Sequence, residues 1–173
     1  MAQVLDPNPT AGSEPRASLV LLLKIVALCA AAIVAGGTFT IWRGYPPQGL
    51  SPAAFVEVQQ GVIRGLNVLL PAVGLTAIAA TLALVWLSRG PARRWLLLAV
   101  LLLVAAGLVT RFGNQPINAI VIGWSLDALP EGWEAVRDRW WRLHLVRTAL
   151  AGAGYIALAL GCLVSATTHD PGR

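Results

Sequence analysis

Four long apolar segments dominate this sequence and restrict what it can fold into. They cover Ser18–Trp42, Ile63–Leu87, Trp95–Phe112 and Leu145–Ser165. A helix needs about 20 mostly apolar residues to cross the hydrocarbon core of a bilayer, and these segments approach or reach that length. Backbone polar groups in lipid must find hydrogen-bond partners within the chain, which helices provide. The sequence therefore predicts an all-α integral membrane protein embedded in the lipid bilayer.

The connection between the second and third segments is very short, the sequence SRGPARR at residues 88–94. So short a link makes its two helices antiparallel neighbours, which predicts an up-down four-transmembrane-helix bundle. We assign residues 18–166 to this bundle, residues 1–17 to a disordered N-terminal tail and residues 167–173 to a C-terminal tail. Small residues at helical spacing in the fourth segment predict a close helix contact there; they are Ala149, Ala153, Ala157 and Gly161.

The orientation in the membrane depends on how lysine and arginine are distributed. Both sides of the predicted bundle carry them, but the arginines of the 88–94 hairpin have no acidic neighbour in the sequence. Cytoplasmic loops are enriched in positive charge, so we expect the hairpin and both termini on the cytoplasmic side of a bacterial cytoplasmic membrane.

The net charge is +5, but the basic residues form no stripe with interleaved aromatic residues. Nucleic acid is therefore not an expected partner. The sequence leaves the oligomeric state open.

The loop before the fourth segment carries the signals of a helix start. It reads LPEGWEAVRDRWWRLHLVR, residues 129–147. Pro130 suits a first helical position, and Glu131 and Glu134 fall in the first turn, where the helix dipole favours acidic side chains. No proline follows before the fourth segment. The pattern predicts an amphipathic extension that continues directly into the fourth helix.

Three polar faces occur where apolar segments meet the two longer loops. The first face contains Glu57, Gln60, Arg64 and Asn67, the second Asn114 and Asn118, and the third Trp140, His144 and Arg147. Within each face, successive residues are three or four positions apart, so they share one side of a helix. Polar groups near hydrocarbon normally point into the bundle and pair with one another. Because all three faces lie at the same membrane boundary, we expect them to converge on one pocket.

Each of these side chains also has a structural explanation. The arginines suit snorkelling to lipid headgroups, and the two asparagines suit helix capping around Pro116. The histidine suits a hydrogen bond to an interfacial carbonyl, and the tryptophans, Trp124 included, suit an aromatic belt. A metal site would have only His144 and Glu57 as ligands. Two ligands are too few, so the sequence predicts no metal site.

These motifs resemble the anthrone oxygenase family. The resemblance rests on FVEVQQ at residues 55–60, on NQPIN at residues 114–118, and on the W-x3-H-x2-R pattern that begins at Trp140. It covers the chain from Ala31 to Leu163 and implies a small four-helix membrane protein. Characterised members oxidise anthrones to anthraquinones with molecular oxygen and without a cofactor, so the resemblance implies an oxygenase that acts on a flat hydrophobic, anthrone-like or quinone-like substrate.

The chemistry that the resemblance implies gives the residues two roles. An anthrone reacts with oxygen once it has lost a proton; His144 is the expected base, and Glu57 is a second proton carrier or the partner that orients Arg64. The substrate-binding residues, which donate to a developing oxyanion or form the wall, are Asn114, Asn118, Arg147, Gln60, Arg64, Trp140 and Trp124. A second hypothesis stays open, because one fold hosts many functions: a non-catalytic membrane protein that binds a lipid or quinone, or an accessory membrane subunit.

Overall fold

A computed structural model describes residues 14–167 of the chain. The helices long and apolar enough to cross a membrane are α1 (Glu14–Gly44), α3 (Leu69–Leu87), α4 (Gly90–Leu108) and α6 (Trp133–Thr167). The shorter elements are a 3₁₀ turn (Pro47–Gly49), α2 (Pro52–Leu66), a π-helical turn (Val109–Asn114) and α5 (Gln115–Val121). No β-strand occurs in residues 14–167, and the predicted all-α membrane fold is confirmed. Helix α1 begins within the predicted N-terminal tail; residues 1–13 and 168–173, the rest of the predicted tails, lie outside the described residues.

The four long helices form a bundle in which neighbours along the chain are also neighbours in space. Helix α1 packs against α3, α3 against α4, and α4 against α6, which returns to contact α1. The turn between α3 and α4 consists of Ser88 and Arg89. Gly90 follows at φ +58°, a left-handed conformation that glycine adopts at little cost. The predicted up-down bundle with a tight hairpin is confirmed.

Two glycines set the contact between α4 and α6. A Cβ atom placed on Gly161 would lie 2.8 Å from Cγ of Leu96, and one placed on Gly154 would lie 3.0 Å from Cγ of Leu103. The missing side chains let the two helix backbones approach closely. Such contacts matter in a membrane because lipid supplies no hydrophobic force that drives helices together.

The buried face of α6 differs from the predicted stripe of small residues. Ala157 and Gly161 are buried as expected, but Ala149 and Ala153 are exposed. Gly154 is buried in their place. The reason is the spacing at which α6 contacts α4. The two glycines that meet α4 are seven residues apart, a spacing typical of helices that cross at a small angle. Residues spaced four apart drift around the helix and leave the contact.

Helices α2 and α3 are separated by a break at Asn67 and Val68, where the sequence predicted one segment from Ile63 to Leu87. Pro71 accounts for the break, because it has no N–H to donate to the carbonyl oxygen of Asn67, four residues earlier. The Nε2 of Gln115 donates to that carbonyl instead, at 3.3 Å. The polar face that begins in α2 therefore ends at the break and does not continue into the membrane span.

The third span extends beyond its predicted end at Phe112. Helix α4 continues through the π-helical turn into α5, so that the helix reaches Val121. Pro116 accounts for the turn, because a proline inside a helix leaves a carbonyl unpaired and a wider turn accommodates the mismatch. This path buries Asn114 and Asn118, which are 0% and 7% exposed.

Helix α6 is an unbroken helix of 35 residues that contains both the predicted amphipathic extension and the fourth span. It begins at Trp133, three residues after Pro130, the predicted start. The difference arises at Gly132, whose φ of +74° lies outside the helical range. Glu134 lies in the first turn, as predicted. The extension places the residues around Trp140 at the end of the bundle.

Gly161→Ala should destabilise the protein, because the added methyl group would meet both the side chain and the backbone nitrogen of Leu96. We expect a loss of about 1–3 kcal/mol, as for other overpacked cores, measured as a lower Tm in detergent. Gly152→Ala is the matched control. A Cβ at Gly152 meets no atom within 4 Å, and alanine favours helix, so its Tm should stay the same or rise. Equal shifts in the two variants would contradict the close α4–α6 contact.

Candidate functional site

A cavity of about 420 Å³ lies between the helices, at the end of the bundle opposite the Ser88–Arg89 hairpin. Each of α1 to α6 contributes to its wall, which consists mostly of aliphatic side chains. The polar residues that line it are Thr38, Gln59, Asn67, Thr110, Arg111, Gln115, Asn118 and Arg147. A mostly apolar wall with a few polar groups, around a volume of roughly 300–1,000 Å³, is typical of small-molecule sites.

The exposed residues of the cavity wall mark an opening between α3 and α4, at the ends of these helices that the hairpin does not join, and they include Arg111 of the π-helical turn. Leu75 of α3 lines the cavity and is 67% exposed, and Leu108 of α4 is 52% exposed. Gly107 lies beside Leu108 in the same wall, and a Cβ atom there would meet no atom within 4 Å. Because α3 and α4 are membrane-spanning helices, this opening faces lipid. Part of the apolar cavity wall is therefore exposed to the bilayer.

A network of amide side chains joins α5, α6 and the α2–α3 break beside the cavity. The Oδ1 of Asn118 accepts a hydrogen bond from the indole Nε1 of Trp140 at 2.8 Å, and its Nδ2 donates to the Oδ1 of Asn67 at 2.9 Å. The Nδ2 of Asn114 donates to the backbone carbonyl of Trp140 at 3.1 Å. Asn114 and Asn118 thus bond to other helices and make no side-chain cap at the start of α5. These hydrogen bonds hold α5, α6 and the α2–α3 break together beside the cavity.

Gln60 fastens α2 to the C-terminal end of α5. Its Nε2 donates to the backbone carbonyls of Trp124 at 2.9 Å, Val121 at 3.2 Å and Ile122 at 3.3 Å. These carbonyls lie at and just beyond the C-terminal end of α5, where carbonyls lack donors within the helix, and that of Val121 also accepts from the backbone N–H of Trp124 at 3.1 Å. The Oε1 of Gln60 accepts from Arg64 at 3.0 Å. Gln60 and Arg64 therefore stabilise the α2–α5 contact and do not line the cavity.

The imidazole of His144 is completely buried and both of its nitrogens are hydrogen-bonded. Its Nε2 lies 3.0 Å from the carbonyl oxygen of Thr38 in α1, and a carbonyl can only accept, so Nε2 carries the proton. Its Nδ1 accepts from Nη2 and Nε of Arg147, at 2.9 and 3.1 Å. Because a guanidinium can only donate, Nδ1 is unprotonated and the ring is neutral. The ring also stacks on Trp140, with centroids 5.0 Å apart.

Arg147 carries a positive charge in the cavity wall with no carboxylate beside it. The residue is 9% exposed, and its guanidinium lies over the ring of Trp140 at 5.8 Å. Arg137 and Asp138 form the one ion pair within residues 14–167. No described residue accepts a hydrogen bond from the Nη1 of Arg147. A buried cation of this kind normally has a partner, so the site favours an anionic or strongly polarised oxygen atom of a ligand.

The structure separates the residues that the sequence grouped into one site. Asn118, Trp140 and Arg147 line the cavity; Asn114 and His144 are buried behind this wall; Gln60, Arg64 and Trp124 lie at the α2–α5 contact. Glu57 is exposed on α2 and does not line the cavity. It is not grouped with His144, and the described residues contain no cluster of three or more His, Cys, Asp or Glu that could hold a metal ion.

Thr38 and Gln59 are among the residues of the site that the sequence patterns did not single out. Thr38 accepts the hydrogen bond from His144 through its backbone, which no side-chain pattern reveals. Gln59 lines the cavity at 5% exposure. One signal was available for Gln59: it follows Phe55 and Val56 by four and three residues and precedes Ile63 by four, so it lies on the apolar face of α2.

Fold and site together define a four-helix integral membrane protein with a mostly apolar cavity that opens towards lipid and contains an unpaired guanidinium. The sequence profile of the anthrone oxygenase family matches residues 60–157, more than half of the chain. The chain belongs to the anthrone oxygenase family. The matched range lies within the span of the resemblance, Ala31 to Leu163, and leaves out all of the FVEVQQ motif except Gln60. No curated protein and no solved structure matches the chain significantly.

Asn118→Leu should destabilise the protein, because it leaves the indole N–H of Trp140 and the Oδ1 of Asn67 without their partner. Each buried polar group that loses its partner costs about 1–3 kcal/mol, and unfolding in detergent measures the loss. The same substitution in a Trp140→Phe background should have a smaller effect, because no indole N–H is then left unpaired. An equal effect in both backgrounds would show that Asn118 and Trp140 do not interact.

Proposed function

We propose that the protein is a cofactor-independent oxygenase that oxidises a flat, hydrophobic, anthrone-like substrate in this cavity with molecular oxygen. The observation that carries the proposal is the buried guanidinium of Arg147, which has no carboxylate partner within residues 14–167 and lines a mostly apolar cavity. Membership of the anthrone oxygenase family supports the same chemistry. The cavity, of about 420 Å³, has the size of a small-molecule site and admits a fused three-ring molecule.

The chemistry requires an anion, and Arg147 is suited to stabilise it. An anthrone has one carbonyl group and, opposite it, a methylene group between two aromatic rings. Loss of a methylene proton gives an anion whose charge resides largely on the carbonyl oxygen. A guanidinium in a cavity with few other polar groups stabilises such an oxyanion strongly, because little water screens the charge. Arg147 would therefore increase the fraction of substrate in the form that reacts with oxygen.

The oxidation balances with oxygen as the sole oxidant. The ring carbon of the anion forms a bond with one atom of O₂, which is reduced to a peroxide and takes up a proton. The hydroperoxide then loses the remaining C–H proton and breaks its O–O bond, so that a second carbonyl forms and water leaves. The sum is anthrone plus O₂ to anthraquinone plus water. Every electron that O₂ gains comes from the substrate.

The geometry supports a positioning role for His144 more directly than the role of general base. Its Nδ1 lone pair accepts from Arg147, and its Nε2 proton is donated to Thr38, so neither nitrogen is free to take a proton from the substrate. In this proposal His144 holds the guanidinium towards the cavity, and water at the opening takes up the proton. Glu57, which is exposed outside the cavity, has no part in the proposed reaction.

The opening between α3 and α4 supports delivery of the substrate from the bilayer. Anthrones and quinones partition into hydrocarbon, and two of the exposed side chains at the opening, Leu75 and Leu108, are apolar, while a third, Arg111, is basic. We also propose that the termini and the hairpin face the cytoplasm, as the hairpin arginines suggest. In that orientation the cavity lies near the opposite surface of the membrane.

A fusion experiment tests the orientation. Alkaline phosphatase fused after Asp127 should be active and the same fusion at Pro91 inactive; the reverse pattern would invert the orientation.

The absence of a free base in the described cavity wall favours one alternative, the binding of a quinone or lipid without turnover. In that case Arg147 would hold a carbonyl or phosphate oxygen and no reaction would follow. The two functions share the cavity and the guanidinium, and they differ only in whether the bound molecule changes.

Arg147→Met should slow anthrone oxidation by roughly 10²–10³-fold, the effect typical of losing one oxyanion-stabilising donor. The measurement is anthraquinone absorbance together with oxygen uptake, on protein purified into lipid nanodiscs. Arg147→Lys should retain part of the activity, because the charge remains but the two-pronged donor geometry is lost. Arg142→Met is the matched control: Arg142 is an exposed arginine on the same helix, outside the cavity, and its variant should match the wild type.

Two outcomes would count against the reaction. If the wild-type protein leaves anthrone oxidation at its uncatalysed rate, the oxygenase proposal fails for this substrate and binding without turnover takes its place. If the wild type is active and Arg147→Met equals it, the charge of Arg147 is not what the reaction uses.

Gly107→Leu should block the opening without damaging the fold. A Cβ atom at this position would meet no atom within 4 Å, and leucine forms helix more readily than glycine, so the Tm should not fall. We expect a higher KM for a lipid-dissolved substrate, or a lower affinity if no turnover occurs. Gly36→Leu is the control, because Gly36 also has open space but lies outside the cavity. Equal KM values for both variants would mean that substrates do not pass between α3 and α4.

A further inference from the structure

One buried hydrogen-bond donor in the cavity wall has no partner. Gln59 on α2 is 5% exposed and lines the cavity, and its Nε2 finds no acceptor in the part of the chain that the structure describes. Its neighbour Gln60 gives the contrast, since the same atom there donates to several carbonyls at the end of α5. A buried amide N–H without an acceptor is costly, and a native protein seldom keeps one without a reason.

Packing does not require an amide at this position. Gln59 lies on the buried face of α2 with Phe55, Val56 and Ile63. An aliphatic side chain of similar size would fill this place and would leave no donor unsatisfied. Because Gln59 lines a cavity large enough for a small molecule, an acceptor atom on a ligand is the partner that the position can receive.

We propose that Gln59 is a second ligand-binding residue, and that its Nε2–H group donates to an oxygen of the bound molecule other than the oxygen held by Arg147. The two donors come from different helices, α2 and α6, and so approach the ligand at different points. The ligand class follows: a flat fused-ring molecule with at least two separate acceptor oxygens, as in a quinone or a hydroxylated ketone. This inference rests on the proposed function, because it takes Arg147 as the first anchor.

The inference adds a rule of specificity to the cavity. A molecule with one acceptor oxygen satisfies Arg147 and leaves the donor of Gln59 unpaired, whereas a molecule with two can satisfy both. Sites that contain a buried donor discriminate against ligands that lack the matching acceptor, since the donor then stays desolvated without a partner. In the proposed reaction the product has one more carbonyl oxygen than the substrate. Gln59 would therefore increase the affinity for the product relative to a monoketone of similar shape.

The test compares two three-ring ketones of similar size. The probes are 9,10-anthraquinone, with two carbonyl oxygens on opposite edges, and thioxanthone, with one. Affinity is measured by quenching of tryptophan fluorescence in nanodiscs, because Trp140 lines the cavity. Gln59→Met, which keeps the length of the side chain and removes the donor, should weaken anthraquinone binding roughly threefold to tenfold, the range of a neutral hydrogen bond. It should leave thioxanthone binding unchanged.

Two further measurements separate this contact from a structural role. Gln59→Met should have a Tm equal to or above that of the wild type, since it removes a donor that has no partner in the described protein. Leu66→Met, on the same wall of α2, should alter both probe affinities equally or not at all. A lower Tm for Gln59→Met, or equal losses for the two probes, would overturn the inference.

The readout is binding, so it distinguishes this inference from the proposed reaction. Anthraquinone binding that depends on Gln59, in a wild-type protein that oxidises no anthrone, would keep the inference and remove the oxygenase. Active anthrone oxidation with probe affinities unaffected by Gln59→Met would keep the oxygenase and remove the inference.

Discussion

The hydrogen bonds between Arg147 and the Nδ1 of His144 are the interaction on which the cavity depends. They occupy one edge of the guanidinium, while its Nη1 group is bonded to no described residue. The carbonyl of Thr38 in α1 fixes the opposite edge of the imidazole, and Trp140 stacks on its face. A long, flexible cationic side chain inside a membrane protein would otherwise move towards a headgroup or a carboxylate. The neutral histidine holds it in place without cancelling its charge.

Two prolines interrupt the helices that carry the other polar groups of the cavity wall. Pro71 frees the carbonyl of Asn67, which accepts from Gln115, and Pro116 accompanies the π-helical turn that leads into α5. Exposed residues flank both interruptions, Val68 at the first and Pro116 at the second, and at the first the side chain of Gln115 supplies the donor that the helix lacks. The network then connects α2, α5 and α6 around the cavity. Irregular helix geometry thus creates the polar part of a mostly apolar site.

The spans, the hairpin and the family were predictable because each depends on local sequence: apolar length, a short arginine-rich turn, and the motif around Asn114. The site was predictable only in part. Spacing along single helices grouped Asn118 and Arg147 at one boundary, and both line the cavity, but the rotation of α2 is set by its packing and leaves Glu57 outside. The partner of His144 comes from a residue 106 positions away, so no pattern near His144 could reveal that both of its nitrogens are occupied.

The central claim is that Arg147 stabilises a negatively charged oxygen inside the cavity, and a coloured ligand tests it most directly. 2-Hydroxyanthraquinone absorbs at longer wavelength once its hydroxyl group is ionised. The measurement is its absorption spectrum when bound in nanodiscs, at a pH where the free dye is mostly neutral. The account predicts the spectrum of the anion with the wild type and that of the neutral dye with Arg147→Met. A neutral spectrum with both proteins, or the anion with both, would contradict it.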